Sequence, residues 1–149
     1  MRPTKTVKKG RSQRRAVGIG GIFFRSSDPA LLRTWYQNHL GFSIEESNVA
    51  LFGWHGGRDR KLKGHTVWCL FPKESDYFPA RNQFMINYRV KNLSRLLKDL
   101  RREGVQVAKK AEESVLGKFG WVYDPEGNKI ELWEPPLRSR FSERENLMG

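Results

Sequence analysis

Two apolar, strand-like stretches, Val17–Arg25 and Phe84–Val90, are each followed at once by a run of helical period. After the first, Leu32, Trp35, Tyr36 and Leu40 form one apolar stripe. After the second, Leu93, Leu96, Leu97 and Leu100 form another. Both helices have marked ends. Asp28 and Asn92 are capping residue types, Pro29 suits a first turn, and Gly41 and Gly104 suit the stops. Asp28 to Gly41 is 13 positions and Asn92 to Gly104 is 12, so the chain repeats itself. Three strand candidates follow each helix. In the first half they are Phe42–Glu45, Asn48–Trp54 and His65–Phe71, with His55–Gly64 as a polar loop before the last. In the second half they are Val105–Val107, Lys118–Tyr123 and Lys129–Trp133. The turn Asp124-Pro125-Glu126-Gly127-Asn128 separates the last two. The pattern predicts an α+β protein built from βαβββ twice, with modules at about 17–73 and 83–135 and a linker at Ser75–Gln83.

Composition narrows the class. At 149 residues, 38 % hydrophobic and 12 % aromatic, the chain reads as globular. The net charge of +12 is unevenly placed: residues 1–15 hold seven Lys or Arg and no acid, which leaves the rest at +5. The 1–15 tail lacks the apolar residues to offset its ordering entropy and lacks aromatics for base stacking. It is expected to be a disordered, solvated extension, and nucleic acid is not an expected partner. The stretch 137–149 is a second charged tail. One cysteine, Cys69, excludes an internal disulfide and a multi-cysteine zinc site. No apolar run reaches the roughly 18 residues of a membrane helix, and no secretory signal pattern is seen. The default location is the cytoplasm.

Gly20–Phe42 (GGIFFRSSDPALLRTWYQNHLGF) and Gly120–Pro135 (GWVYDPEGNKIELWEP) resemble the opening and closing of the vicinal oxygen chelate superfamily. That group includes glyoxalase I, bleomycin resistance proteins and extradiol dioxygenases. The resemblance covers about 17–135 and implies two βαβββ modules whose curved mixed sheets form a cleft, within one chain or across a homodimer. It also implies four cleft-facing metal-ligand positions in the enzymes. Carried over, these fall on Gly21, Cys69, Met85 and Glu131. Glu131 is the one hard-metal ligand retained, and Cys69 and Met85 are soft donors. No metal and no other cofactor is therefore expected. His39, His55 and His65 share no short ligand spacing and read as surface or packing residues, with His65 on the strand face of Cys69.

Strand alternation places Gly21, Phe23 and Arg25 on one face, Met85, Asn87 and Arg89 on another, and Lys129, Glu131 and Trp133 on a third. The expected ligand-binding residues are Phe23, Arg25, Cys69, Met85, Asn87, Arg89, Glu131 and Trp133. Arg25 sits where the resemblance implies a contact to a substrate carboxylate. The charged residues Arg25, Arg89 and Glu131 serve that role or neutralise one another as a buried network. Trp35 is assigned to the core, and Trp68 points away from the cleft toward its module's helix. The function implied is binding of a small anionic or neutral organic molecule without a complete metal site. The alternative is a metal-dependent lyase or isomerase of the glyoxalase I type.

Overall fold

The computed structural model describes residues 15–56 and 59–137, with the side chains of 55–63 excepted. The expected tails therefore lie outside the described residues, apart from Arg15 and Leu137. The strands are β1 (Ala16–Ser26), β2 (Val49–Gly56), β3 (Asp59–Pro72), β4 (Phe84–Val90), β5 (Gln106–Val107), β6 (Glu112–Ser114), β7 (Gly117–Tyr123) and β8 (Lys129–Glu134). The helices are α1 (Pro29–Leu40) and α2 (Leu93–Arg102). All strands join one curved, unclosed mixed sheet of order β2-β3-β1-β4-β8-β7-β5, with β6 on β7. In each module the first strand lies parallel to the last: β1 with β3, and β4 with β8. The modules meet where β1 runs antiparallel to β4. The predicted duplicated α+β architecture is thus the observed one.

The helix ends follow the sequence. The Asp28 carboxylate accepts from the Leu31 amide at 3.1 Å, and the Asn92 carbonyl oxygen accepts from the Arg95 amide at 3.2 Å. Gly41 closes α1 in the left-handed region at φ 68°, which favours glycine. The two helices pack differently. α2 buries Leu93, Leu96 and Leu97 against Val90, Val122 and Leu132, each leucine contributing about 1.5–3 kcal/mol. α1 has no buried residue. Leu32 and Tyr36 lean on the cluster of Ile44, Ala50, Trp68 and Leu70, but Trp35 is 48 % exposed and does not belong to the core. Neighbouring helix positions point about 100° apart, so Trp35 and Tyr36 cannot both face the sheet. Trp68 packs on the α1 side, as alternation predicts.

Two local expectations fail, and one strand was not expected. Phe42–Glu45 is not a strand; Glu45 and Asn48 form a turn into β2, with the Asn48 amide donating to the Glu45 carbonyl at 2.9 Å. His55–Gly64 is not a loop, because β2 and β3 run through most of it as a paired ribbon. Cross-strand bonds satisfy the main chain whatever the side chains, so a polar run can still be strand. β6 is absent from the reading because Glu112–Ser114 is exposed throughout and shows no alternation.

Candidate functional site

The concave face of the sheet holds a cavity of about 390 Å³. Its walls are largely aromatic, from Phe23, Phe71, Tyr77, Phe119 and Trp133, and its polar groups include Asn87 and Glu131. Three features of the chain build it. The first is a register shift in β1, where pairing with β4 passes from Ile19↔Tyr88 to Gly21↔Asn87. Gly20 is the extra residue, and a bulge of this kind turns the strand locally. A Cβ at Gly20 would collide with Asn87 Oδ1 and stand 2.9 Å from Trp133 Cε3, so only glycine lets these side chains close over the strand. The second is the parallel pairing of β4 with β8, which sets Asn87 opposite Glu131. The third is the linker between modules, which folds back to deliver Tyr77 and Phe78.

Glu131 is 1 % exposed and lies at the centre of a hydrogen-bond cage. Asn87 Nδ2 donates to Oε1 at 2.7 Å, Trp121 Nε1 donates to Oε2 at 2.9 Å, and the Tyr77 hydroxyl donates to Oε2. Lys129 stands behind, its Nζ donating to the Tyr77 carbonyl at 2.7 Å and lying 5.5 Å from the Trp121 ring. Burial pushes the Glu131 carboxyl above the usual range and outweighs the opposing pull of the three donors and Lys129. Burial, with the facing carboxylate, also pushes the Tyr77 hydroxyl upward, which keeps it a donor. Asn87 is 2 % exposed, and its Oδ1 has no hydrogen-bond partner.

The expected residues divide. Phe23, Cys69, Asn87, Glu131 and Trp133 line the cavity together. Met85 is 1 % exposed in a cluster with Phe23, Phe78 and Trp121, beneath the cavity. Arg25 does not reach the cavity. It is 6 % exposed and donates to four main-chain carbonyls: Asn82 at 3.1 Å, Lys73 at 3.0 Å, Ser75 at 2.7 Å, and Phe78. The linker offers its own carbonyls as the acceptors, so the guanidinium clamps the linker. Arg89 stands between the rings of Trp54 and Trp133, 5.4 Å from each. Among the described residues Arg25, Arg89 and Glu131 form no ion pair with one another, because the partners of Glu131 are neutral. Tyr77, Trp121 and Gly20 are missing from the sequence-derived site. The adjacent aromatics Tyr77-Phe78 inside a polar linker were the available signal.

The implied metal does not fit these donors. Gly21 supplies none, and a Cβ there would lie 2.6 Å from the Phe23 ring. Met85 is packed among aromatics, and burial pushes the Cys69 thiol up to about 11. Among the described residues no group of three or more His, Cys, Asp or Glu is placed to hold a metal ion. His65 is buried on the face of Cys69, and the side chain of His55 lies outside the described residues.

Two strand–helix–strand modules, sharing one curved mixed sheet with a cavity over a buried carboxyl, form the architecture of the vicinal oxygen chelate folds. The chain belongs to the Glyoxalase/Bleomycin resistance protein/Dioxygenase superfamily, whose family model matches residues 18–132. No curated protein matches it in sequence. Among solved structures, it is similar to a methylmalonyl-CoA epimerase in complex with methylmalonyl-CoA and NH4+ (TM-score 0.61, 18 % identity, covering 82 % of this chain and 96 % of that one). The Mycobacterium tuberculosis methylmalonyl-CoA epimerase is also similar (0.53, 18 %, covering 81 % and 89 %). So is a single-substitution variant of the Streptomyces coelicolor methylmalonyl-CoA epimerase in complex with 2-nitronate-propionyl-CoA (0.59, 18 %, covering 80 % and 98 %). At these identities the likeness is one of fold. No helix among the described residues is long and apolar enough to cross a membrane.

Proposed function

We propose that this protein is a metal-independent binder of a small organic molecule whose uncharged, partly aromatic body is held in the cavity over Glu131. The observation that carries the reading is the cavity of about 390 Å³ walled by Phe23, Phe71, Tyr77, Phe119 and Trp133, over a carboxyl whose oxygens already accept from Tyr77, Asn87 and Trp121. Aromatic walls favour a flat apolar body, and a carboxyl met by neutral donors needs no cation. Of the two cleft arginines on which the anionic half of the expectation rested, Arg25 spends its donors on main-chain carbonyls. The metal-dependent lyase or isomerase alternative requires donors that Gly21 and Met85 do not supply.

The test titrates 2-naphthol into the folded protein, with and without EDTA, and follows quenching of tryptophan fluorescence. The naphthol binds saturably and equally in both, and Trp133→Ala weakens it about 3–10-fold while the protein stays folded. No saturable quenching, or binding lost with EDTA, overturns the reading.

A further inference from the structure

Arg89 lies two residues beyond Asn87 on the same strand face, about 7 Å along β4. Its guanidinium is gripped by two indoles, Trp54 on β2 and Trp133 on β8. Around it the chain is stripped of side chains. A Cβ at Gly64 would stand 2.7 Å from Arg89 Nη1, and one at Gly20 would stand 3.0 Å from Arg89 Cγ. A Cβ at Gly18 would stand 2.7 Å from the Trp54 ring. Glycines on β1 and β3 thus admit the stacked group into the sheet's concave face.

The cations of the cleft strands differ in one respect. Arg25 and Lys129 donate to main-chain carbonyls. Arg89 meets no carboxylate or carbonyl within hydrogen-bond distance among the described residues. Its side chain is part-buried and part-exposed, so the group is open to solvent on one side. A planar fork of N–H donors, held by stacking and left open at its edge, is the geometry that takes an oxyanion in two parallel hydrogen bonds. Stacking fixes the group beforehand and lowers the ordering cost of binding.

We infer that Arg89 is an oxyanion subsite at the end of the cleft, so that the ligand joins a neutral aromatic body to one carboxylate or phosphate group. This rests on the reading of the cavity as a ligand site, which it extends. Trp133 belongs to both stations, lining the cavity and stacking on the guanidinium. A ligand lying along Trp133 places its body over Glu131 and its anionic end at Arg89.

Benzamide, benzoate and phenyl phosphate are titrated separately into the folded chain. The signals are the Arg89 Nε–H and the Trp121 indole N–H by nuclear magnetic resonance, with the arginine signal assigned through Arg89→Lys. Benzoate or phenyl phosphate is expected to shift Arg89, and the stronger of the two identifies the anion. Benzamide is expected to shift Trp121 alone. Arg89→Lys, which keeps the charge but loses the fork, weakens the better anion about tenfold or more. If benzamide moves Trp121 while neither anion moves Arg89, the subsite is overturned and the cavity reading stands. If an anion moves Arg89 while benzamide moves nothing, the subsite stands and the neutral-cavity reading falls. If no probe moves either signal, both are overturned. Unchanged anion affinity in Arg89→Lys also overturns the fork geometry.

Discussion

Replacing Arg25 by methionine separates a structural clamp from a ligand contact. Methionine keeps most of the stem and deletes every donor. Four carbonyls lose a charged partner: Lys73, Ser75, Phe78 and Asn82. The bond to Phe78 is buried and the other three are part-buried, so water replaces some of the loss. A stripped buried acceptor costs about 1–3 kcal/mol. One full cost and three partial ones give about 3–5 kcal/mol. For a body of this size that lowers the melting temperature by roughly 10–15 °C. Urea unfolding followed by circular dichroism and tryptophan fluorescence gives the loss. Limited proteolysis shows where it acts, with new cleavage inside 73–83. Ligand affinity, read at a temperature where the variant is folded, changes less than about threefold. A stability loss under about 1 kcal/mol, together with a tenfold loss of affinity for a carboxylate ligand, would falsify the clamp and restore Arg25 to the site.

Other expectations follow from the same geometry. Glu131 has its carboxyl raised by burial, so the folded state holds its proton at pH values where the unfolded chain has lost it. The stability this contributes is present below the unfolded carboxylate value of about 4.3 and falls as pH rises above it. Stability of the unaltered chain relative to Glu131→Gln therefore falls with rising pH, and a rising difference contradicts the direction. Gly20→Ala drives a Cβ into Asn87 Oδ1; it abolishes naphthol binding and lowers the melting temperature, and unchanged binding refutes the close approach. The Cys69 thiol, at about 11, reacts with a thiol reagent at pH 7.5 at least about tenfold more slowly than free cysteine. Fast labelling would place a thiolate in the cavity. A chain beginning at Ala16 melts within a few degrees of the full chain, since the one described contact before it is the exposed Arg15–Glu103 pair.

Much of the scaffold was legible because local signals agreed with the tertiary result. Asp28-Pro29, Gly41, Asn92 and the leucines of α2 each act through the adjacent turn, and no distant partner is needed to interpret them. Trp35 misled because an apolar residue at helical spacing is only a candidate for burial, and its neighbour Tyr36 takes the sheet-facing direction. Alternation placed Phe23, Asn87, Glu131 and Trp133 on the cavity side, since β4 and β8 keep an even register there. It failed for Gly20, because the bulge is a property of the β1–β4 pair and not of either strand. Arg25 shows the other limit. Its parity was right, but its partners are main-chain carbonyls, which carry no sequence signature. Tyr77 was hidden in an irregular linker, where no period indicates a direction.

Tyr77, Asn87 and Trp121 donate to Glu131, the one hard donor left among the four ligand positions that the resemblance implies. Elemental analysis of the protein after expression with added zinc, nickel and manganese, followed by dialysis, reads whether an ion is held there. Less than about a tenth of an equivalent of any divalent metal is expected, with Glu131→Ala indistinguishable from the unaltered chain, because Gly21 and Met85 leave too few donors for retention. A stoichiometric divalent ion that disappears in Glu131→Ala would contradict it.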